Sequence, residues 1–205
     1  MGFYDRHIMP RLIDFACSLK PITYQRRLTV PQAEGVVLEV GIGSGLNLPF
    51  YDASKVKKII GIDPDDQMWA RSQKQRSGFQ IPIERIGLSG EDIPLEGNLA
   101  DTVLATYTLC TIPDPVAALK EMRRVLKPGG KLVFLEHGQA PDAHIRKWQE
   151  RIDPYWKKIA GGCRPGRPIP SLLNEAGWRV ERLAQGYIPG PKPLTYNYWG
   201  TARKS

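Results

Sequence analysis

The 205-residue sequence predicts an α/β fold built on a mostly parallel sheet, and three observations lead there. Short β-branched or apolar runs alternate with stretches of helical length, the pattern that repeated βαβ units leave in a chain. One run ends directly in three alternating glycines, Gly41, Gly43 and Gly45, which allow a tight turn and a close ligand approach. The composition, 41% hydrophobic and 24% charged, is that of an ordinary globular chain and too apolar for disorder. The length suits a single domain over residues 1–205.

The elements follow in order. Residues 36–40, 58–62, 81–86, 102–106 and 131–136 read as five strands, bounded by Gly, Pro or Asp. The glycine loop after the first strand is expected to open into a helix, giving the order strand, loop, helix, strand. Residues 116–126 put Val116, Leu119, Met122, Val125 and Leu126 on one helical face, and the stop signal Pro128-Gly129-Gly130 follows. Residues 170–176 read as a short helix closed by Gly177, and 178–184 as a strand. Residues 196–202 give one more strand, antiparallel to it across a Gly/Pro-rich connection. The sheet should therefore be parallel except near one edge, with helices on both faces.

Two segments are surplus to this alternation. Residues 3–31 read as a helical arm with Phe3, Tyr4, Ile8, Leu12, Ile13, Phe15 and Leu19 as its apolar content. Residues 138–169 form an insertion with a helical stretch carrying Trp148, Ile152, Tyr155 and Trp156, then a Gly161-Gly162-Cys163 loop. Together they are expected to close over a substrate.

Net charge and cysteine usage bound the function. A formal charge of +8 favours anionic partners, among them the surface of an anionic membrane, or else it is spread over a solvated face. No basic run is interleaved with aromatics, so nucleic acid is not expected as a partner. Cys17, Cys110 and Cys163 are odd in number, widely spaced and without a CxxC, which suggests neither a disulfide framework nor a metal site and fits a reducing cytoplasm. Asp5, Arg6 and His7 interrupt the start before a secretory h-region could form. No uninterrupted apolar run approaches membrane-spanning length, so no transmembrane helix is expected.

The strongest local signal is Val37-Leu38-Glu39-Val40-Gly41-Ile42-Gly43-Ser44-Gly45. A dinucleotide fingerprint starting at Gly41 would need glycine at position 46, which is Leu46. The second strand ends in Gly61-Ile62-Asp63-Pro64, with a carboxylate about 20 residues on, where it can accept hydrogen bonds from ribose hydroxyls. Asp63 could equally cap a helix that starts at Pro64. Further on, Gly90-Glu91-Asp92 precedes the fourth strand and Tyr107-Thr108-Leu109-Cys110 follows it.

Glu39 with Gly41, Gly43 and Gly45 resembles the E-x-G-x-G-x-G first motif of the Rossmann-like class I methyltransferases. The general pattern, including Asp63, Glu91-Asp92 and Leu126-Lys127-Pro128-Gly129-Gly130, is similar to the ubiquinone/menaquinone-biosynthesis type. Asp63-Pro64, Gly90-Glu91-Asp92, Thr108-Leu109-Cys110, Phe134-Leu135-Glu136-His137, Asp153-Pro154-Tyr155-Trp156 and Gly162-Cys163 resemble the methyltransferase-like seven group, the alkyl thiol S-methyltransferases. The resemblance implies S-adenosylmethionine (SAM) as cofactor, S-adenosylhomocysteine as product and no metal. It implies that Glu91, or a backbone group beside it and Asp92, meets adenine, and that Tyr107 lies near the methionine moiety. Bacterial proteins of this kind are often described as phospholipid N-methyltransferases, so an amine headgroup is the alternative acceptor.

SAM carries its own leaving group, so such a protein mainly aligns the reactants and excludes water. A thiol acceptor must lose a proton. His137, directly after the fifth strand, is placed to help, or is a hydrogen-bonded structural histidine. Trp148, Tyr155, Trp156 and Cys163 either line an apolar acceptor pocket with Tyr107 or pack the insertion onto the sheet. Arg164 and Arg167 suit an anionic acceptor or form a solvated basic loop.

Overall fold

The computed structural model describes residues 8–205. Phe3 and Tyr4 of the expected arm, and the Asp5-Arg6-His7 start, lie outside them. The described part of the arm is two helices, α1 (Met9–Cys17) and α2 (Lys20–Thr29), broken at Ser18-Leu19, with Pro10 and Pro21 in their first turns. Proline suits that position because its missing N–H would have no partner there anyway.

Among the described residues seven strands form one sheet in the order β3-β2-β1-β4-β5-β7-β6. They are β1 (Gly35–Val40), β2 (Val56–Ile62), β3 (Ile83–Ile86), β4 (Ala100–Thr106), β5 (Leu126–His137), β6 (Trp178–Tyr187) and β7 (Tyr196–Lys204), and the helices after the arm are α3 (Asp66–Arg71), α4 (Gln73–Arg76), α5 (Pro115–Val125), α6 (Ala143–Ile159), α7 (Ile169–Glu175) and α8 (Lys192–Thr195). The first five pair in parallel, and β7 runs antiparallel to both β5 and β6. The expected fold class holds, and the one reversed strand sits inside the edge rather than at it.

Both faces of the sheet are covered, as its strand sequences require. Leu38, Val40, Val103, Ala105, Leu132 and Phe134 face one core, which α5 (Pro115–Val125) and α7 (Ile169–Glu175) cover with Leu119, Met122 and Leu173. Val37, Leu104 and Val133, one residue out of phase, face the other core with Val30, Leu48 and Ile59. This is the two-residue alternation of a pleated strand.

Two local expectations are corrected. No α-helix follows the glycine loop; the ten residues between Gly45 and Val56 hold only a 3-10 turn, Leu48–Phe50, with Pro49 inside it. The connection is too short and proline-interrupted for a crossover helix. Pro128-Gly129-Gly130 does not separate helix from strand, because β5 begins at Leu126, paired with Ala100, and the register then jumps so that Lys131 meets Thr102. The three-residue excess on β5 is taken up around Gly129, whose φ is +78°.

Candidate functional site

The carboxyl ends of β1 and β4 diverge, since β2 continues the sheet on one side and β5 on the other. Crevices at such switch points are where open α/β sheets bind ligands. A cavity of about 580 Å³ lies there, within the range for small-molecule sites. The glycine loop, residues 63–68 and residues 106–108 form its walls, and Met9, Ile13, Cys17 and Arg26 close it from the arm.

The glycine loop is dictated by close approach. Gly41 has φ +78°, and a Cβ there would stand 2.0 Å from Thr108 Oγ1, so only glycine lets the segment after β4 sit against the loop. Gly43 has φ +48°, and a Cβ there would point toward the Asp63 carboxylate and Met68 at 3.7 Å. Instead, the Gly43 N–H donates to Asp63 Oδ2 at 2.8 Å.

Asp63 is the anchor of this wall. Its Oδ1 accepts from the Asp65 N–H at 2.8 Å, so each oxygen holds one main-chain donor and keeps acceptor capacity for another. Burial raises its pKa above the ordinary aspartate value, against the pull of these two N–H groups. Helix capping, the other role open to it, falls to Asp65: its Oδ1 accepts from Gln67 N and Met68 N at the start of α3 (Asp66–Arg71). Pro64 also lines the cavity.

Glu39 stands behind the wall. It is buried and not in the lining; its Oε1 accepts from Asn47 Nδ2 at 2.8 Å and its Oε2 from the Tyr51 hydroxyl at 2.7 Å. Desolvation pushes its pKa up to about 7, although both hydrogen bonds favour the anion. Asn47 also donates to Thr106 Oγ1 and accepts from Arg26 Nη1 at 2.7 Å. Arg26 donates to Thr106 Oγ1 at 2.7 Å as well, and its guanidinium lies 5.2 Å from the centre of the Tyr107 ring. It is 5% exposed, lines the cavity, and its Nε is buried with no hydrogen-bond partner. A second tie from the arm runs from Ser44 Oγ to Asp14 Oδ1 at 2.5 Å and on to Arg71 at 2.9 Å.

Arg26, Asn47 and Thr106 belong to no motif that would mark them as site residues. One trace was available: Arg26 sits between Ile22 and Val30 at four-residue spacing, a charge set in an inward-facing helical row.

At the other end, Tyr107 lines the cavity with φ +53°, a conformation that L-residues seldom hold without surrounding support. The support is visible. Its hydroxyl donates to Asn197 Oδ1 at 2.7 Å, and Thr108 N and Leu109 N both donate to the buried Glu136 Oε1 at 2.8 and 2.9 Å. His137 packs edge-on to the Tyr107 ring, 6.0 Å between centres, and is absent from the cavity lining. Its Nε2 faces Cys163 Sγ at 3.2 Å. The Cys110 thiol donates toward the same sulfur, which together with the imidazole holds the Cys163 thiol well below the usual cysteine range and raises Cys110.

Several expected site residues stand elsewhere. Glu91 accepts from Ser89 Oγ and from Asp114 N, so it braces the start of α5 rather than facing the cavity, and only the neighbouring Gly90 lines it. Asp92 is exposed. Trp148 and Tyr155 lie on α6 (Ala143–Ile159), 52% and 73% exposed, and do not reach the cavity. The inward face of that helix belongs to Ile145 and Gln149. Trp156 is half-buried. Arg167 is buried and donates to the Leu109 carbonyl, so it braces the loop after β4 and is not part of a solvated basic loop. Arg164 pairs with Asp153 at 3.4 Å.

Comparison with known proteins gives the family of the chain. The family model described as a methyltransferase domain matches residues 38–134. Thiol S-methyltransferase TMT1B of Rattus norvegicus is 35% identical over 73% of this chain, and the chain spans 62% of that relative's length. Demethylmenaquinone methyltransferase of Oceanobacillus iheyensis is 32% identical over 82% of this chain and 69% of its own. The crystal structure of a SAM-dependent methyltransferase from Aquifex aeolicus superimposes with a TM-score of 0.64 at 21% identity, covering 94% of this chain and 97% of that one. From its fold and its relatives, the chain belongs to the SAM-dependent methyltransferases.

Proposed function

We propose that this chain transfers a methyl group from SAM to the sulfur of a small thiol. One observation carries the cofactor half. The cavity joins a carboxylate with spare acceptor capacity, Asp63, to a buried guanidinium with an unpartnered Nε, Arg26. SAM offers groups that match both, ribose hydroxyls for Asp63 and a carboxylate for Arg26. Gly43 leaves room over the loop for the body of the ligand. When bound, SAM supplies an electrophilic methyl carbon on a sulfonium whose thioether departs.

The protein's own part is alignment and exclusion of water. Tyr107 is fixed through Asn197, and Thr108 is fixed through Glu136, so the wall after β4 is rigid. Met9 and Ile13 from the arm and Ile112 from beyond β4 add apolar surface to the lining, which suits an alkyl or aryl thiol. A thiol also reaches its reactive anion near neutral pH with little help, so it does not require a base on the cavity wall. The name of the rat relative points the same way. The arm is read as the closing lid, since Asp14 and Arg26 tie it directly to the glycine loop and to Asn47.

A second reading is favoured by one surface. Leu12, Phe15 and Leu19 are exposed on the arm beside Arg11 and Lys20, an arrangement that suits an anionic bilayer and a lipid amine acceptor. Among the described residues no helix is long and apolar enough to cross a membrane. Incubation with labelled SAM and a panel of thiols, amines, phenols and phosphatidylethanolamine vesicles, with products identified by mass, separates the two. Methylated thiol is expected; methylated amine or lipid with no thiol turnover overturns the sulfur assignment and leaves the cofactor site intact.

A further inference from the structure

Three side chains far apart in the sequence meet behind Tyr107. Cys110 follows β4, His137 ends β5, and Cys163 lies in the loop after α6. Their ligating atoms lie within 4.8 Å of one another, with Cys163 Sγ 3.2 Å from His137 Nε2. The sequence offers no reason to expect a metal because its cysteines are widely spaced; the fold removes that ground. Around a tetrahedral zinc, bonds of about 2.3 Å to sulfur and about 2.0 Å to nitrogen separate the donor atoms by about 3.5–3.8 Å. The observed cluster needs adjustments on the order of 1 Å or less to close around such an ion.

We propose that Cys110, His137 and Cys163 bind a soft divalent cation of the zinc type, one ion per chain, with a fourth position left for an exogenous ligand. The donor set argues for that class. Two thiolates and an imidazole select zinc-like ions over magnesium or calcium, which take oxygen ligands. Charge balance argues the same way, because two thiolates around a dication form a neutral unit, which a buried position such as that of Cys110 favours over a charged one.

The surroundings are those of a built site. The Arg164 N–H donates to the Cys110 carbonyl at 2.9 Å and Cys163 N–H to the Ala160 carbonyl at 3.0 Å, so main-chain bonds hold both cysteine segments together. The His137 imidazole also faces the backbone of Leu194, a partner that orients the ring with Nε2 toward the sulfurs. The indole N–H of Trp156, on the last turn of α6 before the Cys163 loop, is buried and has no hydrogen-bond partner. The site does not depend on which acceptor the enzyme methylates.

The test is anaerobic titration of reduced, chelator-treated full-length protein with Co²⁺, followed by displacement with Zn²⁺. The expected result is one equivalent of Co²⁺ with intense sulfur-to-cobalt charge-transfer absorption, bleached by Zn²⁺. The absorption should be lost in Cys163→Ser and retained at full stoichiometry in Cys17→Ser. Because Cys110→Ser could disturb the core, the wild-type protein supplies a second readout: Zn²⁺ should protect two of its three thiols from alkylation. Absence of the charge-transfer band in wild type overturns the proposal. So does its persistence in Cys163→Ser, or alkylation of all thiols at one rate with and without Zn²⁺.

Discussion

At the glycine-loop end of the crevice, main-chain N–H groups and the carboxylates of Asp63 and Asp65 do the positioning, all within residues 39–68. At the Tyr107 end, side chains from β4, β5, β7 and the loop after α6 converge, with partners up to 90 residues apart. The first end rests mainly on contacts close in sequence, Gly43 to Asp63 and Asp63 to Asp65, onto which Asp14 and Arg26 of the arm are tied at Ser44 and Asn47. The second exists only once the sheet is assembled, since Tyr107 holds its unfavoured φ through Asn197 and the adjacent backbone through Glu136. The glycine-loop end should therefore be sensitive to single backbone changes, and the Tyr107 end to loss of buried partners.

The sharpest way to break the comparison is Gly41→Val. The new side chain would meet Thr108 at less than van der Waals distance in a backbone conformation that disfavours it. We expect a loss of about 3–5 kcal/mol in urea unfolding, from overpacking and left-handed strain together, with cofactor binding abolished. An unchanged urea midpoint would mean that the two ends of the crevice are not in contact.

Next in size is a pH effect. The Glu39 carboxyl titrates near 7 in the folded chain and near 4.5 when free. Its pKa is raised on folding, so its contribution is fully present below pH 4.5 and is lost as pH rises through 7. At roughly 1.4 kcal/mol per unit, the ceiling on this loss is about 3 kcal/mol. Glu39→Gln keeps hydrogen-bonding groups for Asn47 and Tyr51 and should flatten this part of the stability curve between pH 5 and 8, measured by denaturant unfolding. An unaltered curve would show that Glu39 stays ionised throughout.

Arg26→Ala removes the cation that joins the arm to Asn47 and Thr106. With charge-assisted hydrogen bonds worth about 1.5–3 kcal/mol, S-adenosylhomocysteine should bind roughly 10- to 150-fold more weakly by calorimetry. Arg26→Lys should recover part of the loss. Equal affinity in all three proteins would confine Arg26 to holding the arm.

The glycine loop, Asp63 and the five parallel strands were legible because each is a contiguous run whose residue types follow from its own backbone. Cys110, His137 and Cys163 were legible as separate residues but not as a cluster, since only the return of the α6 loop brings them together. Trp148 and Tyr155 misled for a related reason: aromatics on an amphipathic helix do not say which face turns inward, and here Ile145 and Gln149 took it. The missing helix after Gly45 had its warning in Pro49 and a ten-residue spacing. Replacing Tyr155 with alanine is accordingly the smallest expected effect, within about 0.5 kcal/mol in stability and without change in turnover. A large fall in turnover would return α6 to the acceptor pocket.

The central claim is that the β1/β4 crevice holds SAM through Asp63. It is tested most directly by calorimetric titration of S-adenosylhomocysteine into the wild-type chain and into Asp63→Ala, with NAD as the competing ligand. One equivalent should bind to wild type, at least about tenfold more weakly to a folded Asp63→Ala, and NAD to neither, since a single charge-assisted pair accounts for that difference. Binding of NAD in place of S-adenosylhomocysteine, or equal affinity in the two proteins, would contradict the account.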